Sequence, residues 1–147
     1  MSLPTIAIQQ AAIARYRADT PLQGLLAGAS PLWNVFDEDG APTNTPFPYI
    51  VMHPVSSKRG KALTFGIDAV DSIFQVWIYT QQGASGGFAK VRAIEKRIYD
   101  LTQKQPFDLS ASGFSNFFLL FQDSKEPPSS DGITQQIVIQ FQLMTQG

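Results

Sequence analysis

The sequence predicts an α+β fold: a single antiparallel or mixed β-sheet with helices packed on one face. Three observations lead there. "DSIFQVWIY" (71–79) and "DGITQQIVIQFQLM" (131–144) place apolar residues at every second position, the period of a strand. Phe88, Val91, Ile94, Ile98 and Leu101 recur every three or four residues, the stripe of an amphipathic helix. The segments come as helices, then strands, then a helix, then strands, which departs from the strict β–α alternation of a parallel sheet.

Taken in order, residues 4–17 read as a first helix: Pro4 suits a first turn, and Ile6, Ala12, Ile13 and Tyr16 fall at helical spacing. Thr20-Pro21 reads as a cap and first-turn proline of a short second helix with Leu22, Leu25 and Leu26 on one side, ended by Gly28. "LWNVF" (32–36) is a brief strand. Gly40 and three prolines make 37–48 a loop. "YIVMHPV" is a strand in which Pro54 marks an edge, a bulge or the end. Residues 56–70 lack a clean period and read as a long loop or ragged hairpin. In the strand 71–79, Phe74, Val76 and Ile78 share one face, and Ile73, Gln75, Trp77 and Tyr79 the other. Ser85 is a candidate cap for the helix at about 86–102. "FSNFFLLFQ" (114–122) is a strand, 123–132 a solvated turn, and the closing strand carries Ile137, Ile139, Phe141 and Leu143 on one face. These four are expected to pack under Val91, Ile94 and Ile98. Gln136, Gln140 and Gln142, with Val138, line the opposite face, beside Trp77 if the two strands are neighbours.

A length of 147 residues suits one domain over 1–147. Charged residues make up 16%, with eleven basic against twelve acidic, so there is no broad basic field of the kind that holds duplex nucleic acid. The surface left uncharged suits a subunit that buries area in an assembly. Cysteine is absent, which removes disulfides, a thiol nucleophile and thiolate metal sites. The first residues lack the features of a secretory signal, and no apolar run reaches the roughly 18 residues of a membrane helix. The expectation is a soluble protein without membrane partners.

Catalytic chemistry finds no motif. His53 is the only histidine and stands in a strand without an indicated nucleophile or orienting acid, so it reads as structural. Asp37, Glu38 and Asp39 do not continue into a calcium-loop spacing. Gly83, Gly86 and Gly87 lack the lysine and Ser/Thr of a phosphate loop. No catalytic residue, metal site or cofactor is expected. Lys58, Arg59 and Lys61 form the densest positive cluster. It reads either as a solvated loop or as an arm toward a partner or phosphates, whose charge would add up if repeated around a ring. The sheet face with Trp77, Gln136, Gln140 and Gln142 is half apolar and half polar, closer to a protein–protein contact than to a bare solvent face.

The leading helix followed by "TPLQGLLAG", then "PFPYIVM", "IFQVWIY", "FAKVRAIEKRIYDLT" and "SSDGITQQIVIQFQL", resembles in order and spacing the tail-completion, or tail-terminator, proteins of long-tailed bacteriophages. The resemblance covers roughly residues 5–143. It implies a non-enzymatic virion protein at the head-proximal end of the tail, assembled in the host cytoplasm. It further implies a homohexameric ring that caps the tail tube, stops its polymerisation and offers a joining surface to the head. Partners would be other copies of the chain, the major tail tube protein, the head–tail connector protein, and double-stranded DNA passing through the channel without sequence specificity. In this reading Trp77, Gln136, Gln140 and Gln142 face a neighbouring subunit, and Lys58, Arg59 and Lys61 face a partner or the DNA. The alternatives are a head-side connector or completion protein, and a small ligand-binding or enzymatic domain.

Overall fold

The computed structural model describes residues 4–26, 28, 30, 32–37, 40, 42, 44–59, 70–81, 87–103, 105, 117–127 and 134–145. Its elements run α1 (Pro4–Ala18), α2 (Thr20–Leu25), β1 (Val35–Phe36), β2 (Tyr49–Arg59), β3 (Val70–Gln81), α3 (Gly87–Thr102), β4 (Phe117–Lys125) and β5 (Thr134–Thr145). The strands form one mixed five-stranded sheet in the order β1-β2-β3-β5-β4. Only β1 runs parallel to its neighbour; the remaining pairs are antiparallel.

Strand alternation decides which side chains meet the helices. Phe74, Val76 and Ile78 of β3, and Ile137, Ile139 and Phe141 of β5, are fully buried with Ile50 and Met52 of β2. Above them lie Val91, Ile94 and Ile98 of α3, also fully buried, as the stripe requires. Ile8 joins Ala12, Ile13 and Tyr16 as the buried face of α1, and Leu22 and Leu26 of α2 complete the core. Each large apolar side chain removed from water contributes about 1.5–3 kcal/mol, so this layer carries most of the fold.

Polar ties fix how the helices sit. Asp19 caps α2: its Oδ2 accepts from the Leu22 N–H at 3.0 Å and from Arg97 Nε of α3 at 2.8 Å. The cap is therefore one residue earlier than the Thr20 read from sequence, and the proline follows within the first turn. Arg17 donates twice to the Val35 carbonyl, at 2.7 and 3.2 Å, joining α1 to β1. The buried hydroxyls of Tyr16 and Thr102 lie 2.6 Å apart and join α1 to the end of α3.

Several boundaries differ from expectation. The strand expected at 32–36 shrinks to two residues because Trp33 and Asn34 adopt left-handed backbone, with φ of 51° and 57°. The Asn34 side chain instead donates to the Pro46 and Pro48 carbonyls and holds the proline loop against β1. Gly28 does not close α2, whose C-cap is Leu26. It lies so close to Asn34 that a Cβ would fall 2.6 Å from Asn34 Oδ1. The segment 56–70 is a hairpin in its described part: β2 continues through Arg59, paired to Val70 of β3. Of the three conditions expected of Pro54, two hold, since it lies beyond β1 and beside a register shift between Pro54 and Ser56, while the strand does not end there. Residues 123–125, expected in a turn, continue β4 past a second shift between Phe121 and Asp123. Ser85, Gly83, Gly86, Glu38, Asp39 and Lys61 lie outside the described residues.

Candidate assembly surface

The face of the sheet away from the helices carries no helix among the described residues, and many of its side chains bond or stack on one another. The register places Trp77 between Val51 of β2 and Val138 of β5. Those valines are 9% and 6% exposed, so the indole covers much of their apolar surface. Alternation and register together put Tyr49, Val51 and His53, then Gln75, Trp77 and Tyr79, then Gln136, Val138, Gln140 and Gln142 on this one face. Every one of them except the valines is half-buried.

Half of the face is aromatic. Phe47 packs on Tyr49 with centroids 5.3 Å apart, and Tyr49 stacks on Tyr79 at 4.9 Å. Tyr79 is followed by Trp77 at 6.1 Å and Trp77 by His53 at 6.2 Å. Partial burial pushes the Tyr49 and Tyr79 phenols above the ordinary tyrosine range, so both are neutral hydroxyls at physiological pH.

The other half is a chain of amides running one way. Trp77 Nε1 donates to Gln75 Oε1 at 3.0 Å, and Gln75 Nε2 donates to Gln140 Oε1 at 3.2 Å. Gln140 Nε2 donates to Gln122 Oε1 at 2.8 Å, and Gln122 Nε2 to Gln142 Oε1 at 3.0 Å. A glutamine both accepts and donates, so the chain crosses β3, β5 and β4 with no ion in it. A carboxylate at any link would accept but could not pass the bond on. That is the physical use of glutamine on this strand.

Of the residues expected at an interface, Trp77, Gln140 and Gln142 are brought into this one network. Gln136 shares the face, opposite Tyr79, but its amide donates to the Pro127 carbonyl at 3.2 Å and ties down the segment after β4. Of the basic cluster, Lys58 and Arg59 are the last residues of β2, opposite Asp71 and Val70, and Lys61 lies outside the described residues. Sequence reasoning placed Gln75 on this face but missed Gln122, Tyr49 and His53 as members of the surface. The alternation in "YIVMHPV" was a usable signal for Tyr49 and His53. Gln122 was not legible, because the register shift beside it sets where it points.

A groove of about 470 Å³ opens between α3 and β4, lined in part by Arg92, Glu95, Tyr99, Phe121, Ser124 and Glu126. Its ionic groups are engaged: Arg92 pairs with Glu95 at 3.1 Å and with Glu126, and Ser124 Oγ donates to Glu95. Among the described residues no cluster of three His, Asp or Glu side chains is placed to hold a metal ion. Among the described residues no helix is long and apolar enough to cross a membrane.

Comparison with known proteins agrees with the fold and the order of elements. Among solved structures, a chain from the virion of a native gene transfer agent (GTA) particle matches with a TM-score of 0.74 at 19% identity. The alignment covers 99% of this chain and 100% of that one. The gp17 protein of bacteriophage SPP1 matches with a TM-score of 0.55 at 19% identity, over 99% of this chain and 94% of that one. No curated protein matches. The family model of tail completion protein gp17 matches residues 10–146. With a match across nearly its whole length, the chain belongs to the tail completion protein gp17 family and takes the structural role in completing a virion tail that this membership carries.

Proposed function

We propose that the chain, as one domain over residues 1–147, forms a homohexameric ring on the head-proximal end of the finished tail tube. The ring ends tube polymerisation and presents the joining surface for the head–tail connector protein. Double-stranded DNA passes through its channel without sequence-specific contacts. The observation that carries this reading is the outer sheet face, aromatic on one side and amide-linked on the other. Such a face is satisfied in water before assembly, and can be buried against an identical neighbour without like-charge repulsion.

A closed ring needs a heterologous contact, one patch of a subunit meeting a different patch of the next. Trp77, Gln136, Gln140 and Gln142 belong to the first patch in this proposal. Six weak contacts to the tube add through avidity, so the end of the tube is held firmly although each subunit contributes little. The backbone at Lys58 and Arg59 brings two basic positions to the end of the β2–β3 hairpin, and these with Lys61 would face a partner or the DNA phosphates.

The test is native mass measurement and negative-stain imaging of the purified protein, alone and with tail tubes. The expected result is a hexameric ring capping tube ends and halting elongation. A protein that stays monomeric and leaves tubes growing at every concentration sinks the proposal. Binding to the connector with no affinity for tubes would move the protein one layer toward the head.

A further inference from the structure

Both edges of the sheet are closed by the same device. On the β2 side, β1 covers only Ile50 and Val51 among the described residues. The Ile50 N–H donates outward to the Asn34 carbonyl at 3.0 Å, so the backbone of Met52, two residues on, also points outward. There Gln9 of α1, 5% exposed, donates its Nε2 to the Met52 carbonyl at 3.0 Å. The next outward position is Pro54, which has no N–H, and the register shift follows immediately.

On the β4 side, Gln103, the residue after α3, makes an isolated parallel bridge to Leu119. Its Oε1 accepts from the outward Phe121 N–H at 2.6 Å. Again a register shift follows, between Phe121 and Asp123, and β4 ends on Asp123 and the exposed Lys125. At each edge a glutamine, one on α1 and one just after α3, takes a backbone group that an added strand would need. A shift in register then interrupts the template, leaving only a short length of strand beyond it.

We propose that Gln9 and Gln103 close the two sheet edges against strand addition by a second copy of this chain, so that copies meet through side chains and never as a continuous sheet. Unpaired edges template edge-to-edge association, and closing them removes that error from the isolated subunit. The closure is a property of the isolated subunit. It deepens the ring proposal by excluding one geometry for the contact, yet its test does not depend on ring formation.

The chemistry of the two glutamines differs, which makes the test specific. Gln103 acts through an acceptor, so Gln103→Glu keeps the bond and Gln103→Met removes it. Gln9 acts through a donor, which Gln9→Met removes. Sedimentation velocity across a concentration series, with the infrared amide I band read for intermolecular strands, is run on the full chain without tubes. Wild type and Gln103→Glu are expected to coincide. Gln103→Met and Gln9→Met are expected to self-associate about tenfold more strongly, with a new intermolecular strand band. Methionine variants that fold, as judged by circular dichroism, and match the wild type in both readouts overturn the proposal.

If a methionine variant fails to fold, hydrogen exchange of the Phe121 amide in wild type decides. Its protection should be unchanged between dispersed and assembled protein. A tenfold or larger gain on assembly would mean that a neighbour's strand has replaced Gln103, and the proposal falls. Absence of tube capping with unchanged edge behaviour would count against the ring alone.

Discussion

The Tyr16 hydroxyl lies 2.6 Å from Thr102 Oγ1, with both side chains completely buried. One bond thus links the first helix of the chain to the last turn of α3, 86 residues later. Tyr16→Phe leaves the Thr102 hydroxyl buried without that partner and is expected to destabilise by about 1–3 kcal/mol. Adding Thr102→Val should recover part of the loss. Urea titrations of the two single variants and the double check it, and a fully additive cycle would deny the coupling.

The same phenol predicts an alkaline limit. Burial pushes Tyr16 up to about 12, while the Thr102 hydrogen bond and the Arg15 charge act in the opposite direction. An unfolded tyrosine ionises near 10, so the unfolded chain gives up this proton first. The stability that the neutral phenol contributes is therefore fully present below about pH 10 and lost as pH rises toward 12. Stability measured at steps across that interval should fall more steeply in wild type than in Tyr16→Phe, and parallel curves would contradict it.

At the acid end the relevant group is Asp19. Its two hydrogen bonds from Arg97 come first, and the Leu22 N–H adds to them, holding the carboxyl below the usual aspartate range against the opposing effect of burial. A depressed carboxylate contributes stability above its unfolded pKa, and that contribution is lost as pH falls through the folded value. Asp19→Asn retains a capping oxygen and loses the ion pair, whereas Asp19→Ala loses both. The cap alone is worth about 1 kcal/mol. Thermal midpoints at pH 7 should rank wild type, Asn, Ala, with the wild-type advantage shrinking below pH 4.

Gln140→Glu separates folding from assembly. The carboxylate can still accept from Gln75 Nε2 but has no proton to give Gln122 Oε1, so the amide chain stops at β5. The site is half-buried on the outer face, and the expected loss of subunit stability is about 1 kcal/mol. In the proposed hexamer, ring formation on tubes should fail, because six identical charges would be brought to the contact. A variant that caps tubes as well as wild type would remove Gln140 from the interface.

How much of this was legible beforehand follows from where the determining forces are local. The α3 stripe and the two-faced strands β3 and β5 were readable because burial imposes a period on the sequence. Asp19 was misread because Thr20-Pro21 is also an acceptable start; the choice was made by Arg97, which arrives from far along the chain. Val35–Phe36 was overextended because Trp33 takes a left-handed backbone that its residue type does not announce, beside Asn34, whose type enters that region readily. Glutamines on one face of β5 were visible. Their linkage through Gln75 and Gln122 required the order of strands and a register shift, neither of which is written in any single segment.

The order of strands carries a last consequence. β5 comes last among the strands, yet it lies between β3 and β4. A chain interrupted anywhere before Thr134 therefore leaves β3 with a bare edge, β4 with nothing to pair, and Ile94 and Ile98 without Ile137, Ile139 and Phe141 beneath them. No partial product can present the outer face, because half of that face is carried by the strand still missing. The fold thus works as its own inspection step: the outer face is complete only once translation has passed the strand that unites the sheet.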